Sequence, residues 1–273
     1  MPHHICITCG IQYADTPSPP AQCLICSDER QSIGPQGQQW TTLTELQRTH
    51  HNRIKFLEPH LLGIGTEPPF AIGQRALLVQ TPAGNILWDC VSLIDAKTIE
   101  AVHALGGIAA IAVSHPHLVG AVVAWSHAFD NAPIYWHRDD RAWVMRPDPA
   151  FVFWEGESHT LHDDLTLVRC GGHFEGSSVL LWAHGAEGRG VLLTGDTIQV
   201  VLDHRYVSFM YSYPNLIPLN AAAIHRILRA IDPYPFDRIY GGWWPSIVTV
   251  DAKKAVARSA ERYLTHMTDH SLS

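Results

Sequence analysis

Four of the six cysteines lie within the first 26 residues. Cys6 and Cys9 form one CxxC motif, Cys23 and Cys26 form a second, and the connecting segment contains TPSPP. Two CxxC turns can place four thiolates around one tetrahedral ion, and so short a segment needs such a crosslink to fold. The spacing predicts a structural zinc site, with rubredoxin-like iron or two disulfides as the alternatives.

Two histidines follow the apolar segment at residues 108–113. Pro116 disfavours helical backbone at His115, so residues 115–117 are predicted to be extended, and extended residues two apart point to the same side. His115 and His117 can then bind the same ion. The chain contains 18 histidines, so the alternative for this pair alone is two incidental surface side chains.

Other polar residues also stand where predicted strands end. His173 follows LTLVRC, Asp196 follows VLLTG, and Asp89 follows NILW. Strand ends commonly carry binding and catalytic groups. Cys90 and Cys170 lie in apolar segments and are predicted to be inert buried thiols.

The elements that must position these residues alternate between strand-like and helix-like segments. RALLVQ and NILWDC flank the turn Pro82-Ala83-Gly84, which predicts a hairpin, and a helix should begin at Asp95 and end at Gly106. Another helix is expected from about Val119 to Phe129. The later apolar segments PIYWH, LTLVRC, SVLLWA and GVLLTG are predicted strands, and NAAAIHRILRAI and DAKKAVARSAERYL are predicted amphipathic helices.

Composition shifts suggest three parts. Residues 1–34 are predicted to form the four-cysteine knuckle, residues 35–65 a linker and a helix, and residues 66–273 the main domain. The Gly- and Gln-rich residues 31–39 indicate the linker, and TTLTELQRTHHNRI indicates the helix, opened by capping threonines.

Charge and hydropathy exclude several classes of partner. Charged residues make up 16% of the chain and the net charge is −7 with no basic run, so nucleic acid and anionic membranes are not expected partners. No segment approaches the ~18 apolar residues that span a bilayer, and the start lacks a signal-peptide pattern. We expect a soluble cytoplasmic protein that acts on a small molecule; the pattern leaves its oligomeric state open.

The combination of the HPH segment, GGHFEGSSVLLW and VLLTGDT resembles the metallo-β-lactamase superfamily. The motifs of that family are a strand ending in HxHxDH, a GH followed by a Gly-Ser turn, and an LLTGD strand end. The resemblance covers about residues 66–273 and implies an α+β fold, the αββα metallo-β-lactamase sandwich, with the cysteine knuckle added at its N-terminus. It also implies metal ligation by the four residues His115, His117, His173 and Asp196. Asp89 stands where the family carries an acidic residue near the ligands; the alternative is a polar residue that only ends a strand.

The chain departs from this pattern at the second metal position. HxHxDH would require Asp and His where the sequence has Val119 and Gly120, and Trp243 stands where the family's last histidine is expected. We therefore expect one active-site ion. Three imidazoles and a carboxylate would fill a tetrahedral zinc, so either Asp196 acts off the metal as a base or the ion has five or six ligands, as Fe, Mn, Ni or an expanded zinc permits.

The expected activity is hydrolysis of an ester, thioester, lactone or amide, with Asp196 orienting or deprotonating a water molecule. Two alternatives belong to other classes. One is an iron oxygenase of the persulfide dioxygenase type, which resembles this chain at His115, His173 and Asp196. The other is a non-catalytic metal-binding protein.

A substrate wall is expected from residues 200–219, which are too irregular and aromatic for a simple connection. His204 or Arg205 could bind a substrate carboxylate. The expected apolar wall consists of Tyr211, Tyr213, Trp243 and Trp244, for which core packing or a subunit contact is the alternative.

Overall fold

The structure is a computed structural model that describes residues 1–162 and 164–268. The chain divides into two compact units, residues 1–154 and residues 155–273. Each unit consists of a main β-sheet with helices, which confirms the predicted α+β class. The helices in the described part of the chain are too short or too polar to cross a lipid bilayer.

The first unit begins with a small antiparallel sheet that carries the four cysteines. Its strands are β1 (His3–Cys6), β2 (Gln12–Asp15) and β3 (Trp40–Thr42), in the order β2-β1-β3. Buried Ile11, Tyr13 and Ile25 pack with the four cysteines in its core. This core is very small for an independent fold, which agrees with the need for a crosslink.

A seven-stranded sheet forms the body of the first unit. Its strands are β4 (His51–Glu58), β5 (Leu61–Glu67), β6 (Arg75–Val79), β7 (Ile86–Trp88), β8 (Ala110–Ala112), β9 (Ile134–His137) and β10 (Phe151–Trp154). Neighbours in the sheet follow chain order, antiparallel from β4 to β7 and parallel from β7 to β10. Every residue of β6, β7 and β8 is buried, as expected for central strands covered on both faces.

Three helices accompany this sheet: α1 (Leu43–Thr49), α2 (Ala96–Ala104) and α3 (Val122–Ala128). The predicted start of α2 is confirmed, because Asp95 Oδ1 accepts a hydrogen bond of 2.8 Å from the Thr98 backbone N–H. The helix predicted near residues 119–129 is shorter, because residues 119–121 pack against Val91 instead.

The segment predicted to be linker and helix contains more structure than expected. A capping box between Thr42 and Glu45 opens α1, but the helix ends at Thr49 and β4 follows at once. Pairing of β4 with β5 overrides the helical pattern of THHNRI, since tertiary contacts outweigh weak local propensity.

The second unit contains a six-stranded sheet. Its strands are β11 (Ser158–His162), β12 (Leu165–Arg169), β13 (Ser178–Trp182), β14 (Val191–Leu193), β19 (Arg238–Tyr240) and β20 (Ile247–Val248), in that spatial order. Two short hairpins lie between β14 and β19 in the chain: β15 (Gln199–Val200) with β16 (Val207–Ser208), and β17 (Met210–Ser212) with β18 (Ile217–Pro218).

The helices of the second unit are the four-residue α4 (Gly185–Gly188), α5 (Ala221–Ile231) and α6 (Ala252–Thr268). The buried face of α5 carries Ile224, Ile227 and Ile231, at the spacing of one helical stripe. Small residues of α6, including Ala255 and Val256, pack into the same apolar cluster. Both helices therefore cover the sheet through their apolar faces, as their patterns predicted.

Candidate metal centres

The four N-terminal thiols converge on one point. The Sγ atoms of Cys6 and Cys26 are 3.6 Å apart, as are those of Cys9 and Cys23, and all four lie within 4.8 Å of one another. Four sulfurs each about 2.3 Å from a zinc ion would be separated by about 3.8 Å, whereas a disulfide requires about 2.0 Å. The thiols are free and buried. The arrangement fits a tetrahedral metal and excludes the disulfide alternative.

Two residues outside the CxxC motifs support this centre. Tyr13 Oη donates to Cys23 Sγ at 3.3 Å, and Gln38 Nε2 donates to Cys6 Sγ at 3.2 Å. Gln38 Oε1 also accepts from the Cys23 backbone N–H at 3.0 Å. Gln38 lies in the predicted linker, and no local signal distinguishes it from the neighbouring glutamines.

His115 and His117 bring their rings together, with centroids 5.3 Å apart. His115 is extended, but residues Pro116–Leu118 form a 3₁₀ turn with Pro116 in its first position. The expectation that residues 115–117 are all extended is therefore wrong for His117. The turn begins at Pro116 because the fixed φ of proline suits a first helical position. Both imidazoles are buried, and their nitrogens lie close enough to share an ion.

Asp89 and Ser114 support His115 through hydrogen bonds. Asp89 Oδ1 accepts a hydrogen bond of 2.8 Å from the Ser114 backbone N–H, and Ser114 Oγ lies 2.8 Å from His115 Nδ1. When Nδ1 donates to that hydroxyl, His115 presents the lone pair of Nε2 to a metal. Asp89 acts on the strand end that carries His115, which is a positioning role. Ser114 was not singled out in the sequence, although it directly precedes His115.

His173 and Asp196 form the corresponding pair in the second unit. The GH motif is followed by the expected turn, in which Ser177 Oγ accepts from the Phe174 backbone N–H at 2.8 Å. His173 Nδ1 lies 3.1 Å from the carbonyl oxygen of Met210. A carbonyl can only accept, so Nδ1 carries a proton, and in the neutral imidazole Nε2 then carries the lone pair.

This lone pair faces a carboxylate. His173 Nε2 is 4.0 Å from Asp196 Oδ2, and both side chains are buried. The distance is too long for a hydrogen bond and is within the about 4.2 Å that two ligands, each about 2.1 Å from a shared ion, can span. Together the two side chains are suitable ligands for one metal cation.

Tyr213 holds the backbone of Asp196. Its hydroxyl donates to the Asp196 carbonyl oxygen at 2.7 Å, and its ring lies 5.6 Å from that of His173. Burial, and then the charge of Asp196, raise the pKa of Tyr213 well above its usual value, so the hydroxyl keeps its proton and remains a donor.

Gly120 explains the missing ligand in the first unit. Its φ is +53°, and a Cβ there would lie 2.7 Å from the carbonyl carbon and 2.8 Å from the carbonyl oxygen of Val91. The Gly120 carbonyl also accepts from the Gln12 N–H at 3.1 Å. Val119 is buried in the apolar core. The fold around this position excludes any side chain, and therefore a histidine.

The residues that were predicted to contact the substrate lie in the second unit. His204 and Trp243 line a cavity of about 540 Å³. Arg205 instead forms a two-point ion pair with Asp203, at 2.8 and 2.6 Å. Tyr211 packs against the apolar cluster below α5 and α6.

The two other cysteines are buried thiols, Cys90 in the first unit and Cys170 in the second. Burial raises the pKa of Cys90 well above its usual value and that of Cys170 to about 12. Neither thiol is poised to act as a nucleophile.

Comparison with known proteins gives one strong relative. The protein YmaE of Bacillus subtilis (strain 168), described as uncharacterized, is 50% identical over 266 residues, which are 97% of this chain and 96% of YmaE. No protein-family model matches the chain.

Solved structures with low sequence identity share the fold. DIM-1 metallo-β-lactamase aligns with a TM-score of 0.59 at 16% identity, over 78% of this chain and 98% of its own. FIM-1 metallo-β-lactamase from Pseudomonas aeruginosa, solved in a mono-zinc form, gives 0.55 at 16% identity over 78% and 96%. TTHA1623 in a di-iron-bound form gives 0.51 at 22% identity over 71% and 96%. With its two groups of potential metal ligands, this chain has the metallo-β-lactamase fold and belongs to the same family as YmaE of Bacillus subtilis.

Proposed function

We propose that this protein is a metal-dependent hydrolase of an ester, thioester, lactone or amide, with a single active-site ion bound by His115, His117, His173 and Asp196. The observation that carries the proposal is the pairing of the His173 Nε2 lone pair with the Asp196 carboxylate 4.0 Å away. The order of the three motifs along the chain and the buried pair of rings at His115 and His117 support the same ligand set.

The proposal of a single active-site ion rests on the surroundings of Gly120. Close packing of Val91 leaves no space for a histidine at this position, so the first unit offers two imidazoles at its strand end. Trp243 stands where a further ligand would be expected in the second unit, and an indole does not bind a catalytic metal. The proposal is therefore a mononuclear site.

When bound, a zinc or iron ion would polarise the scissile carbonyl and lower the pKa of a bound water toward about 7. The residues around the proposed ligands hold them in position through hydrogen bonds. The Met210 carbonyl holds the His173 tautomer, Asp89 and Ser114 hold His115, and Tyr213 holds the Asp196 backbone. One oxygen of Asp196 would serve as a ligand of the ion, and the other would accept a hydrogen bond from the attacking water and so orient it.

The four-cysteine centre is assigned a structural role, with zinc as its ion. It stabilises the small N-terminal sheet, and its sulfurs are buried rather than open to a substrate. We also place the protein in the cytoplasm, because all six cysteines are free thiols, as expected in a reducing compartment.

The test is hydrolysis of a panel of esters, thioesters, lactones and amides by metal-loaded protein, with His173→Ala as the variant. We expect cleavage by the wild type and a loss of metal affinity of about 100-fold or more in the variant. The matched control is His225→Ala, an exposed histidine of α5, which should keep both the metal and the rate. Full metal content and full rate in His173→Ala would refute the ligand assignment.

A further inference from the structure

A cavity of about 540 Å³ lies within the second unit, a volume typical of small-molecule sites. Its wall is formed by residues that follow Asp196 and by the turn before β20. The apolar and aromatic side chains in this wall include Val200, Leu202, Met210, Tyr213, Leu216 and Trp243. We call this cavity the acyl pocket.

Two wall residues of the acyl pocket, Tyr213 and Met210, contact the proposed metal ligands of the second unit. Tyr213 donates to the Asp196 carbonyl at 2.7 Å, and its ring is 5.6 Å from His173. The Met210 carbonyl accepts from His173 Nδ1 at 3.1 Å. A group bound against Tyr213 and Met210 would therefore contact residues that directly hold Asp196 and His173.

The wall carries little charge. Among the described residues, the pocket is lined by aliphatic, aromatic and neutral polar side chains, with His204 at its exposed edge. Arg205, a predicted partner for a substrate carboxylate, is paired with Asp203 and lies outside the lining. A neutral apolar group fits this wall better than an anionic one.

The rim of the acyl pocket carries a feature that folding alone does not favour. Leu216, in the turn between β17 and β18, has a φ of +57° and is 78% exposed. A branched residue in the left-handed region is strained, and an exposed leucine gains nothing from burial. Leu202 on the same rim is fully exposed. Asn or Gly would satisfy this turn, so a ligand that covers the leucines accounts for them.

We propose that the acyl pocket binds a neutral, apolar acyl or alkyl chain of the substrate, with Trp243 in its wall and Leu216 closing over the chain. The inference rests on the proposed function only for the identification of that chain as part of a hydrolysed substrate. Binding of the chain itself requires no catalysis, so the two proposals can fail separately.

The first test measures binding of 1-butanol, 1-hexanol and 1-octanol to the full-length protein by isothermal titration calorimetry. We expect affinity to rise about three- to fourfold for each added methylene, the value for burying a CH₂. Leu216→Asn should remove most of this dependence and weaken 1-octanol binding about tenfold, while its melting temperature stays equal or rises because Asn tolerates the left-handed backbone. Trp243→Ala should also weaken 1-octanol binding.

The matched control is Val250→Asn, which changes an exposed apolar residue of the same unit that does not line the acyl pocket. It should bind the alcohols like the wild type. Equal affinity for 1-butanol and 1-octanol, wild-type affinity in Leu216→Asn, or an equal loss in Val250→Asn would overturn the inference.

A second test separates this inference from the proposed hydrolysis. With p-nitrophenyl acetate and octanoate, we expect a lower KM for octanoate in the wild type and a higher KM for octanoate in Leu216→Asn. Cleavage of both esters with the same KM would overturn the acyl pocket and leave hydrolysis standing. Chain-length-dependent binding of the alcohols without cleavage of any ester would overturn hydrolysis and leave the pocket standing.

Discussion

The tautomer of neutral His173 is set by one backbone atom. The Met210 carbonyl oxygen 3.1 Å from Nδ1 can only accept, so the lone pair of the neutral ring is on Nε2, on the side of Asp196. His115 Nδ1 lies 2.8 Å from the Ser114 hydroxyl, which can accept from it and hold the ring in place. At the residue scale, the metal affinity of the site depends on these partners as well as on the ligands themselves.

Ser114→Ala should therefore lower the affinity for the active-site ion by about tenfold, because His115 Nδ1 loses the partner that fixes the ring. Competition with a chelator, followed spectroscopically, measures the change. Ser158→Ala alters an exposed serine of β11 and should leave the affinity unchanged. Wild-type affinity in Ser114→Ala would show that the hydroxyl does not orient the ring.

Gly120→Ala should lower the free energy of unfolding by about 3 kcal/mol, through positive-φ strain and overpacking against Val91. Urea denaturation measures the loss. Gly156 is the control: its φ is +89° but no atom lies within 4 Å of an added Cβ, so Gly156→Ala should cost only about 1 kcal/mol. Similar costs for the two variants would contradict the close packing of the loop after His117.

At the scale of elements, the cysteine knuckle is tied to the strand ends around the first pair of histidines. Gln12 of β2 donates its backbone N–H to the Gly120 carbonyl, and the Gly10 carbonyl accepts a hydrogen bond of 2.6 Å from Ser92 Oγ. The knuckle thus supports the loop that follows His117. An ion in the knuckle stabilises both its own sheet and this loop.

Cys9→Ser should release the ion of the knuckle and expose β1, β2 and β3 to proteolysis, since the small apolar core cannot hold the sheet alone. Limited proteolysis with mass spectrometry locates the cleavage sites. Cys170→Ala removes a buried thiol of the second unit and should keep the N-terminal segment resistant. Equal protection of the segment in Cys9→Ser would show that the ion is dispensable for its folding.

Asp237, the residue before β19, is a carboxylate that holds the backbone just before α6 and whose charge is stabilising. Partial burial raises the pKa of Asp237, but hydrogen bonds from the Asp251 N–H at 2.8 Å and from Arg189 Nε at 2.9 Å lower it more, so its pKa lies below the usual value. A depressed folded-state pKa means that the stabilisation is present above about pH 4 and is lost as the pH falls through the folded pKa.

Asp237→Asn should therefore lower the free energy of unfolding by about 1 kcal/mol at pH 7, and the difference from the wild type should shrink below about pH 4. Urea denaturation at several pH values measures it. Asp130→Asn, which changes an exposed carboxylate of the first unit, is the control variant. A difference that grows as the pH falls would contradict the sign of the shift.

At the scale of the whole chain, the two ligand groups make metal content the simplest readout. Elemental analysis should find about two ions per wild-type chain, one per group. Cys9→Ser and His173→Ala should each reduce the count to about one. Three ions in the wild type would reveal a second active-site metal and contradict the role assigned to Gly120.

The sequence by itself determined the types of the proposed ligand residues, their order and the strand ends that carry them. CxxC spacing, a histidine after LTLVRC and an aspartate after VLLTG are local features, and strand ends are set by local apolar pattern. The hairpin of β6 and β7 and the start of α2 at Asp95 were predictable for the same reason. Most of the α+β architecture follows from such periodicity.

Only the tertiary structure decided the features that depend on residues distant in sequence. The 3₁₀ turn at His117, the approach of Val91 to Gly120 and the hydrogen bonds from Gln38 to the knuckle join segments that share no pattern. The strand β4 formed where THHNRI favoured helix, because β5 offered a pairing partner. Candidate ligands can be recognised as single residues in the sequence. The tautomer of a histidine, the exclusion of a side chain at Gly120 and the pairing of strands depend on contacts, and these contacts form only in the folded chain.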